Sequence, residues 1–137
     1  MQFSNQPVLK WLPAFLMMLA IFVFSATPSD DVQSSLLRYA FFKAGHVTGY
    51  LMLTLSFWRA FSFNKKHLWL VWLLAVLYAA TDEYHQSFVP GRHPAALDVL
   101  VFDNAGALIA VWIANRLTKQ KQPIHEGPVV EQISYSG

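Results

Sequence analysis

The sequence predicts an all-α fold: a four-helix transmembrane bundle with short loops and a disordered cytoplasmic C-terminal tail. Three observations predict it. Of 137 residues, 55% are hydrophobic and only 13% charged, against about 25% charged in a soluble domain. The apolar residues gather into four runs on the scale of the roughly 20 residues that cross a bilayer core. The basic residues fall in short clusters between those runs rather than along one stripe, as topology signals do.

The first span is expected at residues 9–27. Its apolar run, Trp11 to Ala26, tolerates Pro13 near the start. Thr27-Pro28-Ser29-Asp30-Asp31 ends it and can cap the next segment. A cleaved signal peptide is the rival reading, from the short basic start and the small residues near the end. Phe24 argues against it, because cleavage after Ala26 wants a small side chain there.

The second span, 39–61, is long enough to cross unaided. Ser62 to His67 then forms a short basic turn. The third span, 67–87, is the informative one. Leu68 to Thr81 supplies only fourteen apolar residues, so the span must draw Asp82, Glu83, His85 and Gln86 toward membrane depth. Val89-Pro90-Gly91-Arg92-His93-Pro94 follows as a turn or short re-entrant stretch. The fourth span, 97–117, is interrupted by Asp98, Asp103 and Asn104. Residues 1–117 therefore read as one domain without internal repeats. Residues 118–137, polar and holding Pro123, Gly127 and Pro128, read as the disordered tail.

Orientation follows from the excess of lysine and arginine on the cytoplasmic side. Lys10, then Arg59, Lys65 and Lys66, then Arg116, Lys119 and Lys121 mark one side. Both termini are expected in the cytoplasm of a multi-pass protein of the bacterial inner membrane. The net charge of +2 is carried by no basic face, so nucleic acid is not expected as a partner. The absence of cysteine excludes disulfides, thiolate metal sites and a cysteine nucleophile.

With this topology the polar residues converge on the outer half of the bundle. Lys43, His46 and Tyr50 are spaced i, i+3, i+7 on one face of the second helix. Asp82, His85 and Gln86 share a face at the outer end of the third, and Asp98 opens the fourth. A charge at mid-membrane costs roughly 2.5–3.5 kcal/mol on insertion scales. Pairing Lys43 and Arg92 with Asp82, Glu83 and Asp98 would offset much of that cost. Two roles fit such a cluster: a ligand site, or internal salt bridges that hold the bundle closed. Gly45-x-x-x-Gly49 and the Gly106, Ala110, Ala114 ladder predict close helix packing. Trp11, Trp58, Trp69, Trp72 and Trp112 read as packing and interface anchors. His46, His85 and a carboxylate could in principle ligate a metal, but their spacing matches no metal signature, so no metal or cofactor is assigned.

These residues resemble the VanZ-like family of small bacterial membrane proteins. The resemblance rests on Lys43-x-x-His46, then Asp82-Glu83-x-x-Gln86-x-Phe88-x-Pro90-Gly91-Arg92, then Asp98 six residues on, and the Asp103 to Ala107 stretch. It covers roughly residues 39 to 115. Phe102 stands where the family usually has Asn or Asp, with Asp103 following, so the resemblance assigns no role to Asp103 or Asn104. It implies a link to glycopeptide-antibiotic resistance, and hence to cell-wall precursors outside the membrane. It implies no reaction.

Two functions fit. In the first, the site binds the anionic headgroup of an envelope lipid or cell-wall precursor. Arg92 and Lys43 contact the headgroup, alongside Gln86, Asp98 and His85. In the second, the site performs acid–base or metal-assisted hydrolysis or transfer on an envelope lipid or peptide. Glu83 or Asp82 is then the base and His46 or His85 the proton shuttle. No nucleophile elbow, phosphate loop or metalloprotease motif accompanies these residues. A homo-oligomer, or a structural role beside another membrane protein, is the remaining expectation.

Overall fold

The computed structural model describes residues 7–26, 36–90, 97 and 99–120. Among these it holds four helices and no strand: α1 Pro7–Ser25, α2 Leu36–Ala60, α3 Leu68–Gln86 and α4 Asn104–Gln120. A 3-10 turn, Lys65–His67, leads into α3, and a π-helical turn, Val99–Asp103, leads into α4. The all-α expectation holds. At 1.5 Å per residue, α1 and α3 are about 28 Å long and α2 about 37 Å, against a hydrocarbon core of roughly 30 Å. As its short apolar run requires, α3 continues as one helix through Asp82, Glu83 and His85 to Gln86.

Several helix ends differ from the expected spans. α2 begins at Leu36 rather than at 39. α4 runs to Gln120, so Thr118, Lys119 and Gln120 belong to the helix rather than the tail. The Thr118 hydroxyl donates back to the Ala114 and Asn115 carbonyls, both at 3.0 Å, which satisfies it within the last turn. Residues 121–137 lie outside the described ones.

Local chemistry explains the ends nearest the basic clusters. Pro7 opens α1, where a missing N–H costs nothing. Pro13 lies inside α1 and cannot donate to the Leu9 carbonyl. Arg59 of α2 takes its place, with Nη1 at 3.2 Å from Leu9 O and 3.4 Å from Lys10 O. Lys10 Nζ donates to Ser62 Oγ at 3.0 Å, closing the same end. The chain leaves α2 through two left-handed residues, Ser62 (φ 55) and Phe63 (φ 57). The Phe63 amide bonds the Trp58 carbonyl at 3.0 Å, and its ring meets the Trp58 ring edge-on at 5.0 Å. Asn64 then caps the 3-10 turn through Lys66 N at 3.0 Å.

The bundle is built on small residues. Ala14, Ala75, Ala79, Ala107, Ala110 and Ala114 are buried, around Tyr50, Leu53, Phe57 and Val71. The closest crossing joins α4 to α2: a Cβ at Gly106 would run into the backbone carbonyl of Val47. That is the packing expected of the Gly106, Ala110, Ala114 ladder. Large apolar side chains point outward on every helix, among them Leu16, Phe24, Phe41, Trp69, Leu77 and Trp112. Among the described residues, the buried polar or charged set is Ser25, Thr54, Asp82, Gln86 and Asp103. A shell of large apolar side chains around a core that holds buried carboxylates is unlike a water-soluble bundle.

By length and composition, two helical stretches can cross a membrane: Pro7–Ser25 and Val99–Gln120. The other two predicted spans fall short of the same measure. α2 carries Lys43, His46 and Arg59, and α3 ends on Asp82, Glu83, His85 and Gln86, which lowers their mean hydropathy.

Candidate functional site

The polar interior gathers where α1 ends, α3 ends and α4 begins. Its centre is Asp82, which is only 3% exposed. Oδ2 of Asp82 accepts from Ser25 Oγ at 2.7 Å, Gln86 Nε2 at 3.0 Å and, at the outer limit, the Tyr50 hydroxyl at 3.4 Å. Gln86 Nε2 also reaches Ser25 Oγ at 3.3 Å. Oδ1 of Asp82 is buried and has no partner. Asp82 and Gln86, one α-helical turn apart, converge as their spacing predicts. The donors that meet the carboxylate are neutral side chains from α1, α2 and α3, and none is the Lys43 ammonium.

A second centre joins α2 to the π-helical turn. His46 Nδ1 and Asp103 Oδ1 lie 2.9 Å apart, with Asp103 only 2% exposed. A carboxylate can only accept, so Nδ1 carries the proton of this bond. The two centres adjoin through Tyr50, whose ring lies nearly parallel to that of His46 at 6.4 Å. Beside them Trp72 Nε1 donates to Asn104 Oδ1 at 2.8 Å, tying α3 to α4.

The remaining expected residues are placed as follows. Lys43 is half-buried, its ammonium 5.2 Å from the centre of the Tyr39 ring and 5.0 Å from that of Phe102. His85 turns toward α1 and stacks on Phe22 at 4.1 Å, with its Nδ1 buried and unpartnered. Glu83 is half-buried beside Asp82 in sequence, on the adjacent face of α3. Arg92 and Asp98 lie outside the described residues. Among the described residues no group of three or more His, Asp or Glu is arranged to hold a metal ion.

A cavity of about 550 Å³ opens between α1 and α2. Its body is apolar, formed by Met17, Ile21, Phe24, Phe41 and Phe42, and its polar end consists of Ser25, His46 and Tyr50. Phe24 and Phe41, both 76% exposed, stand at its rim. The glycine pair expected to pack helices closely lines this cavity instead. A Cβ at Gly45 would meet nothing within 4 Å, and one at Gly49 would reach only the Ile21 side chain at 3.6 Å. Gly45 makes space, and Gly49 lies where α1 packs through Ile21.

Ser25 and Asp103 were not among the residues expected to form the site, and Tyr50 was expected there only by its face, with no role assigned. Ser25 had a legible signal: it is the one hydroxyl in the run Trp11 to Ala26, and a polar group in such a run needs a partner. Tyr50 shares the Lys43 and His46 face. Asp103 had no α-helical spacing to reveal it.

The VanZ/LLP1 family profile matches residues 9–118, from the first turn of α1 to the last turn of α4. No curated protein and no solved structure matches the chain. The match spans both carboxylate centres and the cavity, and bears out the resemblance carried by the motifs of α2 and α3: the chain belongs to the VanZ/LLP1 family.

Proposed function

We propose that this chain is a four-span protein of the bacterial inner membrane, with both termini cytoplasmic, whose α1–α2 cavity binds an envelope lipid or lipid-linked cell-wall precursor. The exposed apolar shell of all four helices supports the membrane reading. Orientation is supported by the ties among Lys10, Arg59 and Ser62, which put the basic clusters at the end opposite Asp82 and Asp103. That polar end is then outward, where glycopeptide antibiotics meet their targets.

The observation that carries the ligand reading is the cavity itself. It is apolar along its length, polar at one end, and rimmed by phenylalanines that face the hydrocarbon. A lipid chain fits such a space, leaving its anionic headgroup toward Lys43, with Arg92 the second cation expected to hold it. Native mass spectrometry of the protein in mild detergent tests this. Lipid or precursor should remain on wild type and Glu83→Gln, and be lost from Arg92→Ala and from Gly45→Leu, which fills the cavity. If all four forms are empty and equally stable, the ligand reading fails and an interaction role leads.

One observation favours a second reading, an acid–base hydrolase or transferase. His46 lines the cavity with Nδ1 held by Asp103, an arrangement that fixes an imidazole for proton transfer at Nε2. Asp82 or Glu83 would supply the base. Under it, Glu83→Gln or His46→Gln abolishes turnover of the co-purified lipid while leaving it bound.

A further inference from the structure

We infer that the headgroup received at the polar end of the α1–α2 cavity presents an N–H donor, so that the ligand class is an amine-bearing phospholipid. This rests on the lipid-site reading above and adds what that site selects.

The inference comes from counting protons. Ser25 and Tyr50 each have one hydroxyl proton, and both are directed at Asp82 Oδ2. A hydroxyl with its proton committed offers a newcomer only lone pairs. Ser25 and Tyr50 therefore present acceptors to the cavity, and both are bonded to the buried carboxylate of Asp82. Asp82 keeps a further buried acceptor, Oδ1, that no group satisfies.

Charge points the same way. The cavity lining includes neither lysine nor arginine. A phosphate lodged against Ser25 and Tyr50 would face lone pairs and the like charge of Asp82. An ammonium there would face acceptors and opposite charge, and charge-assisted bonds are the stronger kind. Lys43 lies one turn from His46 along α2, half-buried against Tyr39 and Phe102. A zwitterionic headgroup suits this polarity, with its ammonium at Ser25 and Tyr50 and its phosphate out toward the Lys43 side.

The test offers the full-length protein equimolar phosphatidylethanolamine, phosphatidylcholine and phosphatidylglycerol with matched acyl chains, read by native mass spectrometry in mild detergent. Phosphatidylcholine keeps the charge but has no N–H, so it separates charge from hydrogen bonding. Wild type should retain phosphatidylethanolamine over phosphatidylglycerol by about tenfold, the effect of one charge-assisted bond, and should also prefer it to phosphatidylcholine. Asp82→Asn should bring the ratios toward one without emptying the protein of lipid. Where Asp82→Asn does not fold, Tyr50→Phe carries the comparison. Equal retention of all three lipids, or preference for phosphatidylglycerol, overturns the inference. Gly45→Leu separates the two levels of the reading. If it empties the protein of lipid while wild type shows no headgroup preference, only the amine inference falls. If the phosphatidylethanolamine preference survives Gly45→Leu, the amine is bound elsewhere and both fall.

Discussion

Ser25 Oγ lies 2.7 Å from Asp82 Oδ2, a bond between side chains 57 positions apart that joins the end of α1 to the end of α3. It sets the last turn of the first helix against a buried carboxylate. No cation is among the donors that carboxylate receives, so each neutral donor counts.

Ser25→Ala removes one of those donors and leaves the acceptor buried. The expected loss is about 1–3 kcal/mol, the range for a buried polar group deprived of its partner. Thermal unfolding in detergent reads it directly. The informative form is a double-mutant cycle with Asp82→Asn. Ser25→Ala should cost clearly less in the Asp82→Asn background than in wild type. Strictly additive losses would mean the bond contributes nothing.

The His46–Asp103 pair behaves differently, because removing the imidazole takes a donor from a buried carboxylate. His46→Leu should destabilise by about 1–3 kcal/mol, the range for a buried polar group that loses a partner. His46→Leu with Asp103→Leu should recover part of that loss, since no charge then remains to be buried. Chemical unfolding of the three forms in the same detergent checks the order. A double variant less stable than His46→Leu alone would show that packing, not the lost donor, dominates.

How these centres relate to the sequence depends on helical period. Asp82 and Gln86 are readable, because i, i+4 residues share an α-helical face. So is the length of α3, since fourteen apolar residues cannot cross alone. Asp103 is not readable, because Val99–Asp103 is π-helical. Closing hydrogen bonds i→i+5 takes one more residue into the turn than α-helical bonding does. The carboxylate that meets His46 therefore comes one residue later than an α-helical period would place it. Phe102, which departs from the family pattern, receives the Lys43 ammonium over its ring. Ser25 was legible as a lone hydroxyl in an apolar run, but its partner was not, because Asp82 lies on a different helix.

Glycine at two positions answers opposite needs, which gives a clean contrast. Gly106→Ala drives a methyl group into the Val47 carbonyl, an atom that cannot move without moving α2. It should cost at least about 1–3 kcal/mol, as overpacking does. Gly45→Ala places the same methyl in open space and should be neutral, or stabilising by up to roughly 1 kcal/mol through helix propensity. Unfolding midpoints of the two variants settle the matter. Equal sensitivity at both positions would contradict the crossing described for α2 and α4.

The tie between Arg59 and the start of α1 exists because of Pro13. A proline there leaves the Leu9 carbonyl without its helical donor, and Arg59 Nη1 supplies one at 3.2 Å. Arg59→Leu in the natural chain should therefore destabilise by about 0.5–1.5 kcal/mol, the range for an ordinary hydrogen bond, since the contact is exposed. Pro13→Ala restores an N–H to Leu9 O within the helix, so in that background Arg59→Leu should cost less than half as much. The comparison needs four proteins and one unfolding assay. Equal cost of Arg59→Leu in both backgrounds would mean that Arg59 acts through its position at the basic end of the bundle, not through the carbonyl that Pro13 leaves open.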